Sequence, residues 1–137
     1  MSVRLCNVSR YLINTGYYIK PQFFMGSDIF IGWLVATESF EFIFRFEGGR
    51  LLICKFNTHM SNFNGIIGFK IVLNKIIDSV REVNCICALK SNSGSSSEMS
   101  KRERLFDFFL EFGAKLIIDD DGDEVYVKKI ERMYESN

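Results

Sequence analysis

Glu41, Glu47 and His59 are the side chains whose types suit proton transfer. His59 is the only histidine, and an imidazole changes charge near neutral pH, so it can act as a general base. It lies in a polar segment, where a partly exposed loop histidine is the plainer reading. Glu41 and Glu47 fall in a segment with phenylalanine at every second position, Phe40 to Phe46, and Glu41, Ile43, Arg45 and Glu47 on the other side. Charges on the outer face of a half-exposed strand are ordinary there. No catalytic residue is assigned, and Glu41 and His59 stand only as candidates.

Three other groups invite a ligand. Cys85 and Cys87 share a face of one short apolar run, but a metal site needs converging ligands, usually on Cys-x-x-Cys turns. Cys-x-Cys within a strand fits buried reduced thiols better. The run Asp119 to Glu124 resembles a calcium loop until it is aligned. Placing Gly122 sixth puts Ile117 first and Lys128 twelfth, where carboxylates are required. An Asp-Gly turn between two strands accounts for it. The serines from Ser91 to Ser100 lack the glycines and Lys-Ser of a phosphate loop. Ser95 to Glu98 can instead help start a helix. No metal is expected.

The composition narrows the classes. Seventeen basic and 17 acidic residues balance over 137 positions, so nucleic acid, which is bound by neutralising phosphates, is not an expected partner. No apolar run reaches the ~20 residues that cross a bilayer, and Met1 to Arg10 has no signal-peptide core. A cytoplasmic protein without membrane attachment is expected. The length suits one domain over residues 1–137, with 131–137 as a frayed tail.

The elements that would position these residues follow from periodicity. Ser2 to Asn7 reads as a first strand and Ser9 to Thr15 as a short helix with Tyr11 and Leu12 inward, ended by Gly16. Tyr17 to Ser27 contains the only proline, Pro21, and reads as an aromatic loop. Asp28 to Thr37 is a strand. Phe40 to Glu47 alternates with period two, and Gly48-Gly49 turns it into the strand Arg50 to Phe56. A helix then carries Ile66, Phe69, Leu73, Ile76, Ile77 and Val80 on one face. Val83 to Leu89 is a buried strand, parallel to Arg50–Phe56 because a helix provides the crossover. A second helix, about Lys101 to Phe112, is capped by Gly113. The strands Lys115–Ile118 and Val125–Ile130 form a final hairpin.

Strand, helix, strand, helix and hairpin over Arg50–Ile130 resemble the GNAT superfamily of N-acetyltransferases. The resemblance implies an α/β fold with a mixed, mostly antiparallel central sheet flanked by helices. It also implies a loop, Gln/Arg-x-x-Gly-x-Gly/Ala, that holds the acetyl-CoA pyrophosphate at a helix N-terminus. In the best register Asn62 takes the first place, Gly65 the first glycine and Ile67 the small residue, with Gly68 one position late. Asn62, Gly65 and Gly68 are thus the candidate cofactor-binding residues of a degenerate loop. No Lys or Arg lies between Thr58 and Phe69. The tyrosine that protonates the thiolate in family enzymes would fall at Phe109, four residues before Gly113.

These departures imply weak acetyl-CoA binding or none. The chain is also similar to small GNAT-like proteins of tailed phages. The expected role is non-catalytic: binding another protein, either a virion component or a host factor, in the host cytoplasm or the virion. Tyr17, Tyr18, Phe23 and Phe24 are the candidate partner-binding residues, because aromatic side chains make strong anchors. The alternative is an acetyl-CoA-dependent N-acyltransferase acting on an amine.

Overall fold

The structure, a computed structural model, describes residues 4–58, 63–89 and 105–132, with only the backbone of Phe63 and Asn64. Helix α1 (Asn7–Asn14) is followed by strands β1 (Tyr18–Phe23), β2 (Phe30–Ala36), β3 (Phe40–Glu47) and β4 (Arg50–Thr58). Helix α2 (Phe63–Ser79), strand β5 (Cys85–Leu89), helix α3 (residues 105–111), and strands β6 (Lys115–Ile118) and β7 (Glu124–Lys129) complete it. The seven strands form one sheet in the order β1-β2-β3-β4-β5-β7-β6. Only β4 and β5 pair in parallel; the other neighbours are antiparallel. The α/β class and the mixed, mostly antiparallel sheet flanked by helices are those expected.

Alternation in β3 buries Phe40, Phe42 and Phe44 on one face of the sheet. Their register partners Phe56, Ile53 and Trp33 are buried beside them. Phe69 of α2 stacks on Phe56 with ring centroids 4.4 Å apart, and Phe108 of α3 lies 5.3 Å from Phe69. Phe106 stacks on Tyr126 of β7 at 4.9 Å. Val8 and Leu12 of α1 join the same core cluster. Each fully buried Phe or Leu contributes about 1.5–3 kcal/mol relative to exposure. The Gly48-Gly49 turn has φ of 57° and 80°. Two positive values make the mirror-image turn that matches strand twist, and glycine adopts it without strain.

Two expectations fail at the N-terminal end. Residues 4–6 are not a strand; they lead into α1. The Cys6 N–H donates to Ser9 Oγ at 2.8 Å and the Ser9 N–H to Cys6 Sγ at 3.4 Å, a reciprocal cap that starts the helix at once. The segment read as a loop is instead β1, with a 3-10 turn at Phe24–Gly26. Pro21 is tolerated because β1 is an edge strand, bonded on one side only.

The C-terminal residues are also tied down further than expected. Arg132 Nη1 donates to the Val83 carbonyl at 2.7 Å, and Nη2 to the Ile77 and Val80 carbonyls at 2.8 and 3.1 Å. A guanidinium therefore closes the C-terminal end of α2, where carbonyls lack helical partners. Residues 133–137 lie outside the described residues.

Candidate functional site where β4 and β5 part

Parallel pairing between β4 and β5 covers Arg50↔Cys85, Leu51↔Ile86 and Leu52↔Cys87. Beyond it β4 continues to Thr58 alongside β3, while β5 continues to Leu89 alongside β7. The two strands therefore part after Leu52 and Cys87. An irregularity of β4 between Ile53 and Lys55, opposite Ile43/Phe44, falls at the start of the parting. Bulges of this kind bend a strand and re-aim its side chains. The parting strands give an extended ligand unpaired backbone on both sides. Helix α2 is the next described element after β4.

Gly65 and Gly68 lie in the first turns of α2 and face the sheet. A Cβ on Gly65 would come within 2.6 Å of Thr58 Cγ2 and 3.0 Å of the Ser39 carbonyl oxygen. A Cβ on Gly68 would meet the Phe40 ring. Close helix–sheet packing therefore demands both glycines, whatever the adjoining loop binds. Ile67, between them, turns its side chain outward and is half exposed. Asn62 and His59 lie outside the described residues, as does Ser91–Ser100.

Cys54 sits just past the last parallel pair. Partial burial pushes its thiol above the usual range, while the neighbouring Arg45 guanidinium draws it down. Cys85 and Cys87 lie with sulfurs 3.7 Å apart. Burial, reinforced by Cys85, pushes Cys87 up to about 12. Neither arrangement offers a ready thiolate nucleophile at neutral pH.

Glu41 projects from the opposite sheet face to the buried phenylalanines. Its Oε1 accepts from Asn57 Nδ2 at 3.5 Å. It borders a cavity of about 130 Å³ with Gln22, Leu34, Ile43 and Lys55. Phe109 is fully buried at 0% exposure beside Phe108. It offers no proton and no access. The acidic turn explains itself: Asp119 Oδ1 accepts the N–H groups of Asp121 and Asp123 at 3.0 and 2.9 Å.

The aromatic candidates for a partner separate into two kinds. Tyr17 packs on the core, and Phe23 meets Phe30 edge to face at 6.1 Å. Tyr18 and Phe24 are 62% and 52% exposed. Tyr18 begins β1 and Phe24 follows its end, so they stand roughly 20 Å apart by strand rise. Sequence reasoning missed that Met25 and Ile29 extend the Phe24 end. Met25 has φ 44°, a left-handed value rare for its type, and is 87% exposed. Their scattered positions give no periodic signal.

The structure resembles "paia n-acetyltransferase from thermoplasma acidophilum in complex with coenzyme a", with 14% identity over 90% of this chain and 68% of that one, and a TM-score of 0.44. No protein-family model matches the chain, and no curated protein does.

Proposed function

We propose that this chain is a GNAT-like protein that does not transfer acetyl groups and works by binding another protein. The observation that carries the reading is Phe109. At the place of the family's acid it presents a phenyl ring sealed in the core. A departing thiolate would find no proton there.

The fit to acetyl-CoA is incomplete. The parted strands suit an extended arm. The stretch from Thr58 to Phe69 supplies no Lys or Arg for its phosphates, and no chemical step is derived through the cofactor. Binding is expected to be weak or nil. Calorimetric titration with acetyl-CoA tests this, and a clear micromolar isotherm overturns it.

The proposed partner is a protein, either a virion component or a host factor, in keeping with the resemblance to phage proteins. The proposed anchors are Tyr18 and Phe24, the two exposed members of the aromatic segment. Large aromatic surfaces bury much area for little ordering cost. Pull-down with folded Tyr18→Ala and Phe24→Ala variants tests it: unchanged capture by both removes this segment as the anchor.

A second reading has one observation in its favour. The parting of β4 from β5 is what an acyl-thioester carrier needs, so an acetyl-CoA-dependent N-acyltransferase acting on an amine is the alternative. Turnover of acetyl-CoA with a panel of amines would establish it.

A further inference from the structure

A large concavity lies away from the parted strands. It is a groove of about 680 Å³ lined by Asn74 and Ile77 of α2, Gly113, Lys115 and Ile117 of β6, and the β7 stretch from Val127 to Glu131. Along the β5/β7 pair, Cys85↔Lys129 marks the groove end and Leu89↔Val125 the parted end. Four residues of strand separate them, roughly 13 Å. The volume falls within the range of small-molecule sites, about 300–1,000 Å³.

Its chemistry is of two kinds. Ile77 and Ile130 supply apolar surface on the side of Lys128, while strand alternation turns Val127 and Ile117 to the other side of the hairpin. Lys115, Lys128 and Lys129 supply three positive charges against the single carboxylate of Glu131. Lys128 is half buried, and its Nζ stands 5.0 Å above the centre of the Phe112 ring. Gly113 makes room for it, since a Cβ there would come within 2.9 Å of that Nζ. No carboxylate among the described residues pairs with Lys128. The ammonium is held by a ring face, with no carboxylate partner among the described residues, in a groove that is otherwise apolar on several sides.

We propose that this groove binds an amphipathic carboxylate: a hydrocarbon chain laid on Ile77 and Ile130, its carboxylate at Lys128. The chain takes apolar area from water, and the carboxylate pairs with the Lys128 ammonium. The inference is independent of whether acetyl-CoA binds at the parted strands.

Octanoate, octanol and inorganic phosphate separate the contributions. Titration of the full chain, followed by amide chemical shifts, should show saturable octanoate binding with shifts centred on residues 113–117 and 127–131. Lys128→Met keeps the stem over Phe112 and removes the charge. It should weaken octanoate binding at least tenfold while leaving the melting profile near that of the parent. Lys129→Met, at the exposed rim, should weaken it less and serves if the first variant folds poorly. Octanol binding as tightly as octanoate would overturn the proposal, since charge would then contribute nothing. Phosphate binding as tightly would also overturn it, since the apolar surface would contribute nothing. Absence of saturation by octanoate at millimolar concentration would end it.

Discussion

Gly68 lies directly beneath the ring of Phe40: a Cβ on this glycine would stand 2.8 Å from Cε1 of that ring. Phe40 cannot easily retreat, because it stacks on Phe42 and touches Phe69, each at 6.1 Å. Gly68→Ala therefore sets two effects against each other. Helix propensity improves by up to about 1 kcal/mol. Overpacking a tight contact costs about 1–3 kcal/mol. The expected net result is a lower urea midpoint with an unchanged slope. Ile67→Ala, one residue earlier and half exposed, should move the midpoint much less. A raised midpoint for Gly68→Ala would mean that the ring yields freely.

Phe109→Ala should cost about 3–5 kcal/mol, the range for a buried aromatic. Phe109→Tyr is the more informative partner. It supplies a hydroxyl at this position but places it in the core, at about 1–3 kcal/mol if unpaired. The expected outcome is reduced stability and no gain of acetyl transfer. Acetylation of an amine by the tyrosine variant alone would show that the site lacks only its acid.

Cys87 makes stability pH-dependent. Its folded pKa of about 12 lies above the ordinary thiol value of 9.0. The unfolded chain loses this proton first, so the folded state binds more protons between those values. The contribution is fully present below about pH 9 and is lost as pH rises toward 12. The slope is at most ~1.4 kcal/mol per pH unit for one proton. Chemical denaturation from pH 8 upward should show a shallower decline for Cys87→Ala than for the parent. Identical slopes would mean that other groups dominate.

Removing the Arg132 side chain frees three carbonyls at the end of α2. Hydrogen bonds to a charged group contribute about 1.5–3 kcal/mol each when solvent does not replace them. Arg132 is partly exposed, so Arg132→Ala should cost about 1–2 kcal/mol in total, near the effect of losing a helix cap. Arg132→Lys should recover only part, because one ammonium cannot reproduce the planar fork. Amide exchange at Val80 and Val83 should rise in step.

The central elements are legible because their signals are local. Period two runs unbroken through β3, glycines mark its turn, and α2 keeps its apolar face for four turns. Strand β1 is illegible because its burial does not alternate. Pairing with β2, not its own pattern, makes it a strand. The same applies to the parting of β4 and β5, which is a property of backbone register. Gly65 and Gly68 were visible as glycines, but their contacts with Thr58 and Phe40 depend on how the helix crosses the sheet. The groove draws on residues from Asn74 to Glu131, and no local pattern marks it.

Among the described residues, three parallel residue pairs join β1–β4 to β5–β7 within the sheet. The first group pairs entirely between neighbours in sequence, so it can assemble from short loops alone. The seam requires closing a loop through the whole of α2, which is slower. The meander should therefore be the early-forming, late-melting unit, and the second half a separate one that leans on Phe69 for its attachment. In native-state hydrogen exchange the two halves should open at different free energies. A ligand seated between the parted strands would act as a bolt across that seam, raising protection in β5 and β7 more than in β2 and β3.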